Sequence, residues 1–404
     1  MLIKMAWRNI WRNQKRTALT MLSIIIAIFL SLFTRSMQQG TFGSMITNAV
    51  KLSTGYIQIH KDGYWENKSI NETFLSSNKI SEIVEGNKNI KLNIPRLESF
   101  ALVSSGKLTK GAMVIGTIPE IEDKLNDYSN KIVRGSFLNT DDRSILVGDE
   151  LAKYLKVDVG DSLVLLGQGY HGVTAAGQYE IKGILHLPIP QLNKQLVLMP
   201  LNECQYLYAS ENRLTSISIM LENPELLDET TSEIKESLSK EYEVMTWEEL
   251  NKELVQFVDT KVVGGMIMMS ILYIVIGFGV FGTVMMMTME RRKEFAIMVS
   301  IGMRKIKLLA VVFWETIFIG FVGVAIGIII TFPVLLYLSK NPIKLAGEFA
   351  KSMESVGAEP LMPFVINTGM FLNQTISIIL IAFVAVIYPL IFIIKFNVLK
   401  AMRN

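Results

Sequence analysis

The sequence predicts an α-helical membrane protein with four transmembrane helices plus a large α+β extracytoplasmic domain inserted between helices 1 and 2. Three observations carry that fold class. Apolar runs occupy Thr17 to Thr34, Val262 to Met289, Leu308 to Leu338 and Thr375 to Ile394, with Glu315 the one charge among them, and at ~1.5 Å per residue each can cross ~30 Å of hydrocarbon. A polar stretch of over two hundred residues separates the first run from the second. Lysine and arginine cluster on one side of the membrane when the four spans alternate: Lys4, Arg8, Arg12, Lys15 and Arg16, then Arg291, Arg292, Lys293, Arg304, Lys305 and Lys307, then Lys395, Lys400 and Arg403. Short basic flanks stay in the cytoplasm, so both termini are expected there.

The elements follow in order. In residues 1–16, Ile3, Trp7, Ile10 and Trp11 repeat at i, i+4, i+7 and i+8 beside a basic stripe of Lys4, Arg8, Arg12 and Lys15. That pattern predicts an amphipathic helix on the cytoplasmic surface, tryptophans at headgroup depth and basic side chains snorkelling to phosphates. It acts either as a topogenic anchor alone or also as a brace for the bundle. The first span covers 17–37; its run is too long for a signal peptide, and Arg35 to Gln38 offers no A-x-A-like cleavage site, so an uncleaved anchor is expected. The extracytoplasmic domain covers 38–261, the second span 262–288, a cytoplasmic connecting helix 289–304, the third span 305–338, an outward loop 339–372, the fourth span 373–395 and a cytoplasmic tail 396–404.

Within the domain, strands are expected at Thr54 to His60, Ala112 to Gly116, Ser144 to Val147, Ser162 to Leu166, Gln178 to Leu185, Gln195 to Met199 and Ser216 to Leu221, where β-branched content or alternation is bounded by turn residues. Helices are expected at Asp149 to Leu155, Leu201 to Tyr208 and Pro224 to Leu238. These form either one body or two subdomains joined near residue 130.

Half of the 404 residues are apolar and mean hydropathy is +0.35, an average over two solvents. A net charge of +3, dispersed along the chain, points to no nucleic acid. The single cysteine, Cys204, excludes an intrachain disulfide and reads as a small core residue. Gly167, Gly169 and Gly172 spell G-x-G-x-x-G, but the segment continues into a strand instead of opening a helix, so a hairpin tip is expected. His60, His171 and His186 are scattered, each read as structural or exposed and not as a metal ligand. No phosphate-binding loop, H-E-x-x-H or paired CxxC occurs. The chain is expected to be no enzyme and to hold no metal or cofactor.

Between the second and third spans, good helix formers run from Glu290 to Ser300, and Gly302 suits a left-handed cap. Phe295, Met298 and Val299 would present an apolar face for a partner's groove; the alternative is a solvated connector. Glu315, about eight residues into an apolar run, should face the interface, a cation such as Arg304 or Lys307, or the bundle interior. Methionines 266, 268, 269, 285, 286 and 287 make the second span pliable, suiting either packing or a lipid cavity.

Arg292, Glu294, Ala296, Ile297, Gly302 and Glu315 together resemble the coupling-helix region of the ABC permeases grouped with the macrolide exporter, the cell-division permease and the lipoprotein-releasing permeases. The opening around Ala6 to Ile24, and Tyr388-Pro389 with Asn397 to Arg403, are similar to that family's ends. In the domain, Arg134-Gly135, Ile145 to Leu163, Tyr179 to Leu185, Met199 to Tyr208 and Ile217 to Glu225 follow the order of the lipoprotein-releasing permeases. The resemblance implies a periplasmic core domain and a permease subunit in the inner membrane, working by mechanotransmission with a second permease copy or paralogue. A cytoplasmic ABC ATPase dimer, which binds ATP and Mg, would be coupled through Glu290, Arg291, Arg292, Glu294, Phe295, Ile297, Met298 and Gly302. By position in the spans, Phe29, Phe33, Met37, Met266 and Met269 would line a substrate cavity. A loop of Leu187, Pro188, Ile189 and Pro190 would project to a periplasmic carrier, and lipoprotein taken from the outer leaflet would be the cargo. Efflux of amphipathic drugs or peptides, and regulation of a cell-wall hydrolase, are the alternatives the same family implies.

Overall fold

The computed structural model describes residues 2–12, 14–355 and 360–395, so the tail at 396–404 lies outside the described residues. The chain divides into two compact units, one of residues 1–43, 257–344 and 361–404 and one of residues 44–256 and 345–360. Six helices dominate the first: α1 (Leu2–Arg12), α2 (Gln14–Ala49), α3 (Lys252–Glu290), α4 (Arg292–Ser300), α5 (Lys305–Lys340) and α6 (Thr368–Ile394). Four of them, α2, α3, α5 and α6, are long and apolar enough to cross a membrane.

Helix α2 runs on to Ala49 instead of stopping near residue 37, and α3 starts at Lys252 instead of 262. No proline interrupts residues 17–49 or 252–290, so both helices keep their hydrogen-bond ladders beyond the apolar runs. The stretch between α5 and α6 is not a bare loop; it carries a helix at Glu348–Ser355 and two short paired strands, Ile343–Lys344 and Leu361–Met362. In the bundle, Gly323 and Gly327 of α5 face Ile24 and Ile28 of α2 so closely that an added Cβ would lie 3.0 Å from each isoleucine. Small residues at such a seam let helix backbones approach where lipid gives no hydrophobic drive. Ala6 and Ile10 of α1 are buried, Trp7 meets Phe318 of α5 edge-on at 5.6 Å, and Ile3 and Trp11 stay exposed.

The second unit is built on a ten-stranded mixed sheet. Its strands are β1 (Ile57–Lys61), β2 (Ile90–Ser105), β3 (Leu108–Thr117), β4 (Ile132–Gly135), β5 (Ser144–Gly148), β6 (Ser162–Gln168), β7 (Thr174–Leu185), β8 (Leu196–Pro200), β9 (Ser216–Leu221) and β10 (Tyr242–Thr246). They are ordered β10-β1-β9-β2-β3-β8-β5-β7-β4, with β6 pairing both β2 and β7. Pairs β3–β8 and β5–β7 are parallel and the rest antiparallel. One continuous sheet replaces any division near residue 130. Of the buried clusters packed on it, one gathers Leu97, Val114, Val147, Leu151, Leu165 and Cys204, and another Ile57, Ile80, Ile219, Ile234 and Val244. The G-x-G-x-x-G segment is the tip of the β6–β7 hairpin. Cys204 is fully buried, and an added Cβ on Gly116 of β3 would collide with it, so the helix Leu201–Leu207 lies hard against the sheet. Burial pushes the Cys204 thiol well above the ordinary range.

Candidate functional site

The connecting segment is shaped by its two ends. At Arg291 the backbone leaves helical geometry (φ −86°, ψ 8°), which separates α3 from α4. At the other end Gly302 takes φ +100°, a region that favours glycine. Gly302 N–H donates to the Val299 carbonyl and Met303 N–H to the Met298 carbonyl, both at 3.0 Å. That is the paired-bond left-handed cap expected of a glycine after a helix, with Met303 folding back into the cluster that holds Met298.

This turn brings Arg291 level with Glu315 of α5. The guanidinium donates from Nη1 to both carboxylate oxygens of Glu315, at 3.0 and 2.7 Å. Its Nε reaches Glu294 Oε2 at 3.3 Å, and Arg12 Nη2 of α1 donates to that same oxygen at 2.5 Å. Arg291 and Glu315 are 5% and 4% exposed. The Arg291 guanidinium also lies 5.2 Å from the Phe295 ring centre. One chain of charge therefore ties α1, the α3–α4 junction, α4 and α5 together, and Lys305 Nζ donating to the Ile394 carbonyl at 3.2 Å adds the end of α6. A buried ion pair is weak evidence of stability but fixes geometry, because removing one partner strands the other.

The cation that Glu315 needs is thus Arg291, not Arg304 or Lys307. The signal for it was the hairpin itself, since Arg291 and Glu315 flank Gly302 at similar chain distance and antiparallel helices bring such positions side by side.

The structure also corrects the docking face of α4. Phe295 is 2% exposed and packs with Leu308, Val312 and Ile393, joined by Met298 and Val299. That apolar face is consumed by the protein's own spans. Ile297 (53% exposed) and Ile301 (81%) point outward instead, beside exposed Glu290, Lys293 and Gly302 and half-buried Arg292.

The remaining expected site residues fall in separate places. Phe29 stacks on Phe33 at 5.9 Å, and Phe33 meets Phe364 at 5.0 Å. Phe33 and Met37 are packed into the bundle. Met266 and Met269 line a polar cleft with Arg35 and Tyr273, so these five do not form one cavity. Nor does the Leu187–Pro190 loop project. Leu187 is buried, Ile189 packs on the same cluster, and Pro190 opens a short helix, Pro190–Gln195. Asn193 clamps the loop, its Oδ1 accepting from Leu187 N–H at 2.7 Å and its Nδ2 donating to the Leu187 carbonyl at 2.8 Å. Two prolines stiffened the segment inward, where an apolar pair could be buried.

Comparison with known proteins bears on the same regions. The family model described as MacB-like periplasmic core domain matches residues 17–237, and the one described as FtsX-like permease C-terminal matches residues 266–398. The lipoprotein-releasing system transmembrane protein LolC of Neisseria meningitidis is 22% identical over 297 residues, 71% of this chain and 68% of that protein. LolE of Haemophilus influenzae is 24% identical over 259 residues, 61% of each. The periplasmic region of MacB from Actinobacillus actinomycetemcomitans resembles 51% of this chain and 94% of its own at a TM-score of 0.36 and 12% identity.

Proposed function

Because the chain belongs to the multi-pass inner-membrane ABC transporter permeases that join a MacB-like periplasmic core domain to an FtsX-like permease region, we propose that it extracts lipoproteins from the outer leaflet and hands them to a periplasmic carrier. Its similarity to permeases named for lipoprotein release is the observation that carries this reading. Two copies, or this chain and a paralogue, would enclose the lipid-bearing cargo. The chain is the non-catalytic subunit, and a separate cytoplasmic ATPase dimer would bind ATP and Mg. That dimer would press on α4 from the side of Ile297 and Ile301. The Arg291–Glu315 and Glu294–Arg12 pairs would make α4, α5 and α1 move as one piece. Each acyl CH₂ leaving the bilayer costs ~0.8 kcal/mol, which is why release of a multiply acylated cargo calls for ATP.

The test is ATPase activity of the permease with its co-purifying ATPase in nanodiscs, with and without a triacylated lipoprotein, followed by transfer to a soluble carrier. Stimulation with ATP-dependent transfer is expected. Silence towards lipoprotein, with stimulation by amphipathic drugs or by a cell-wall hydrolase, would overturn the cargo while leaving the permease assignment standing.

A further inference from the structure

Helices α2, α3 and α6 enclose a cleft of about 380 Å³ at the end of the spans away from the Arg291–Glu315 pair. Its lining is mostly uncharged and polar, including Gln39, Ser270, Asn373 and Gln374, and Arg35 is its single charged group. Among the described residues Arg35 makes no ion pair. It is the first charge after the Thr17 to Thr34 run, so its guanidinium sits where hydrocarbon gives way to headgroups. The amino end of α6 opens on the same cleft, where Asn367 Oδ1 accepts from Gly369 N–H at 2.8 Å. The positive end of that helix adds to the attraction for an anion.

Tyr273 belongs to two spaces at once. Its hydroxyl donates to Gln374 Oε1 in the polar cleft, and its ring also lines an apolar groove of about 730 Å³ between α3 and α6. The groove runs from Tyr273 to Phe281 on α3 and from Leu380 to Ile391 on α6, which is ~12 Å and ~16 Å of helix. A head pocket with one unpaired cation thus adjoins, across Tyr273, an open groove walled by hydrocarbon side chains.

We propose that Arg35 and the α3–α6 groove form a binding site for an anionic phospholipid, the phosphate on the guanidinium and an acyl chain along the groove. Guanidinium and phosphate match in charge and in hydrogen-bond geometry. A lipid anchor built from esters and amides alone would leave Arg35 without a counter-charge, and a zwitterionic headgroup brings its own cation. The site is independent of what the permease transports, and its test needs neither the ATPase nor a carrier.

The full chain in mild detergent, given equal amounts of phosphatidylglycerol and phosphatidylcholine with identical acyl chains, is read by native mass spectrometry. Phosphatidylglycerol should be retained about fivefold over phosphatidylcholine, as the attraction of one arginine to a headgroup of net negative charge implies. Arg35→Ala should bring the ratio near one and Arg35→Lys should largely keep it. Gly277→Leu, which fills the groove opposite Ile381, should cut retention of both lipids. Equal retention by the unaltered chain, or a preference that survives Arg35→Ala, overturns the site, and the first comparison stands even if a variant misfolds. Displacement of phosphatidylglycerol by millimolar inorganic phosphate would overturn the acyl groove and leave a free-anion site.

Discussion

At the scale of single residues, the buried pair Arg291–Glu315 makes a prediction with an internal control. Removing one partner of a buried ion pair costs about 3–5 kcal/mol, whereas replacing both by apolar groups of similar size is often neutral. Glu315→Leu and Arg291→Met are each expected to lower the thermal midpoint of the full chain in detergent, and the double variant should recover most of the loss. A double variant as unstable as the sum of the two would show that the side chains do not act as a pair. His60 offers a second residue-scale test. It is fully buried on β1, stacked on Trp65, with both ring nitrogens lacking a hydrogen bond among the described residues. Burial lowers its pKa from 6.5 to about 4. The unfolded chain then binds more protons than the folded one between those values. The contribution of neutral His60 is therefore complete above pH 6.5 and is lost as pH falls towards 4, a drop of at most about 3 kcal/mol. Glu243 lies 3.4 Å from Nδ1, and burial raises its carboxyl, which titrates with the opposite sign. Comparing the chain with His60→Gln isolates the histidine: one imidazole resonance should titrate near 4 and vanish in the variant, and a midpoint near 6.5 for His60 would refute its burial.

At the scale of elements, α4 is where sequence and structure part most usefully. The helix, its glycine cap and its charges were all legible, because propensity and capping are local. Which face it buries was not, since an apolar stripe reads the same whether it meets a partner or the protein's own spans. Phe295 chose the spans because Leu308, Val312 and Ile393 were there to receive it. The same limit explains β2, the longest strand and one with no sequence signal. Its alternation is broken by Pro95, Arg96, Glu98 and serines, which only the fold satisfies: Arg96 pairs with Glu122 at 2.6 Å and also donates to the Ser53 carbonyl. The inward turn of the Leu187–Pro190 loop likewise depends on Asn193, whose side chain folds back six residues onto the Leu187 backbone, a clamp that propensity and turn signals do not announce. The new face of α4 can be tested directly. Ile301→Asp, at 81% exposure, should leave folding stability within about 0.5 kcal/mol of the original, yet reduce co-purification of the ATPase several-fold. Phe295→Ala should do the reverse in kind, lowering stability by about 3 kcal/mol or more through an unfilled core. If Ile301→Asp retained full ATPase binding, α4 would not be the docking element.

At the scale of the whole molecule, the open question is which side each segment faces, and the chain's cysteine content makes it answerable. Four spans put α1, α4 and the end of α6 on one side, and the expectation from charge is that this side is the cytoplasm, because those segments hold most of the lysine and arginine near the span ends. On that expectation the sheet domain and the Glu348–Ser355 helix would face outward. The only cysteine, Cys204, is fully buried with its thiol held protonated, so it should not react with a maleimide in the folded chain. Native protein is therefore a clean background for single introduced cysteines. Lys293→Cys and Lys307→Cys, both exposed, should be labelled by a membrane-impermeant maleimide only after the membrane is opened. Glu229→Cys and Lys351→Cys, also exposed, should be labelled in intact cells once the periplasm is reachable. Labelling at Lys293 from outside would invert the topology. It would also remove α4 from the reach of any cytoplasmic ATPase, so the coupling mechanism and the orientation stand or fall on the same measurement.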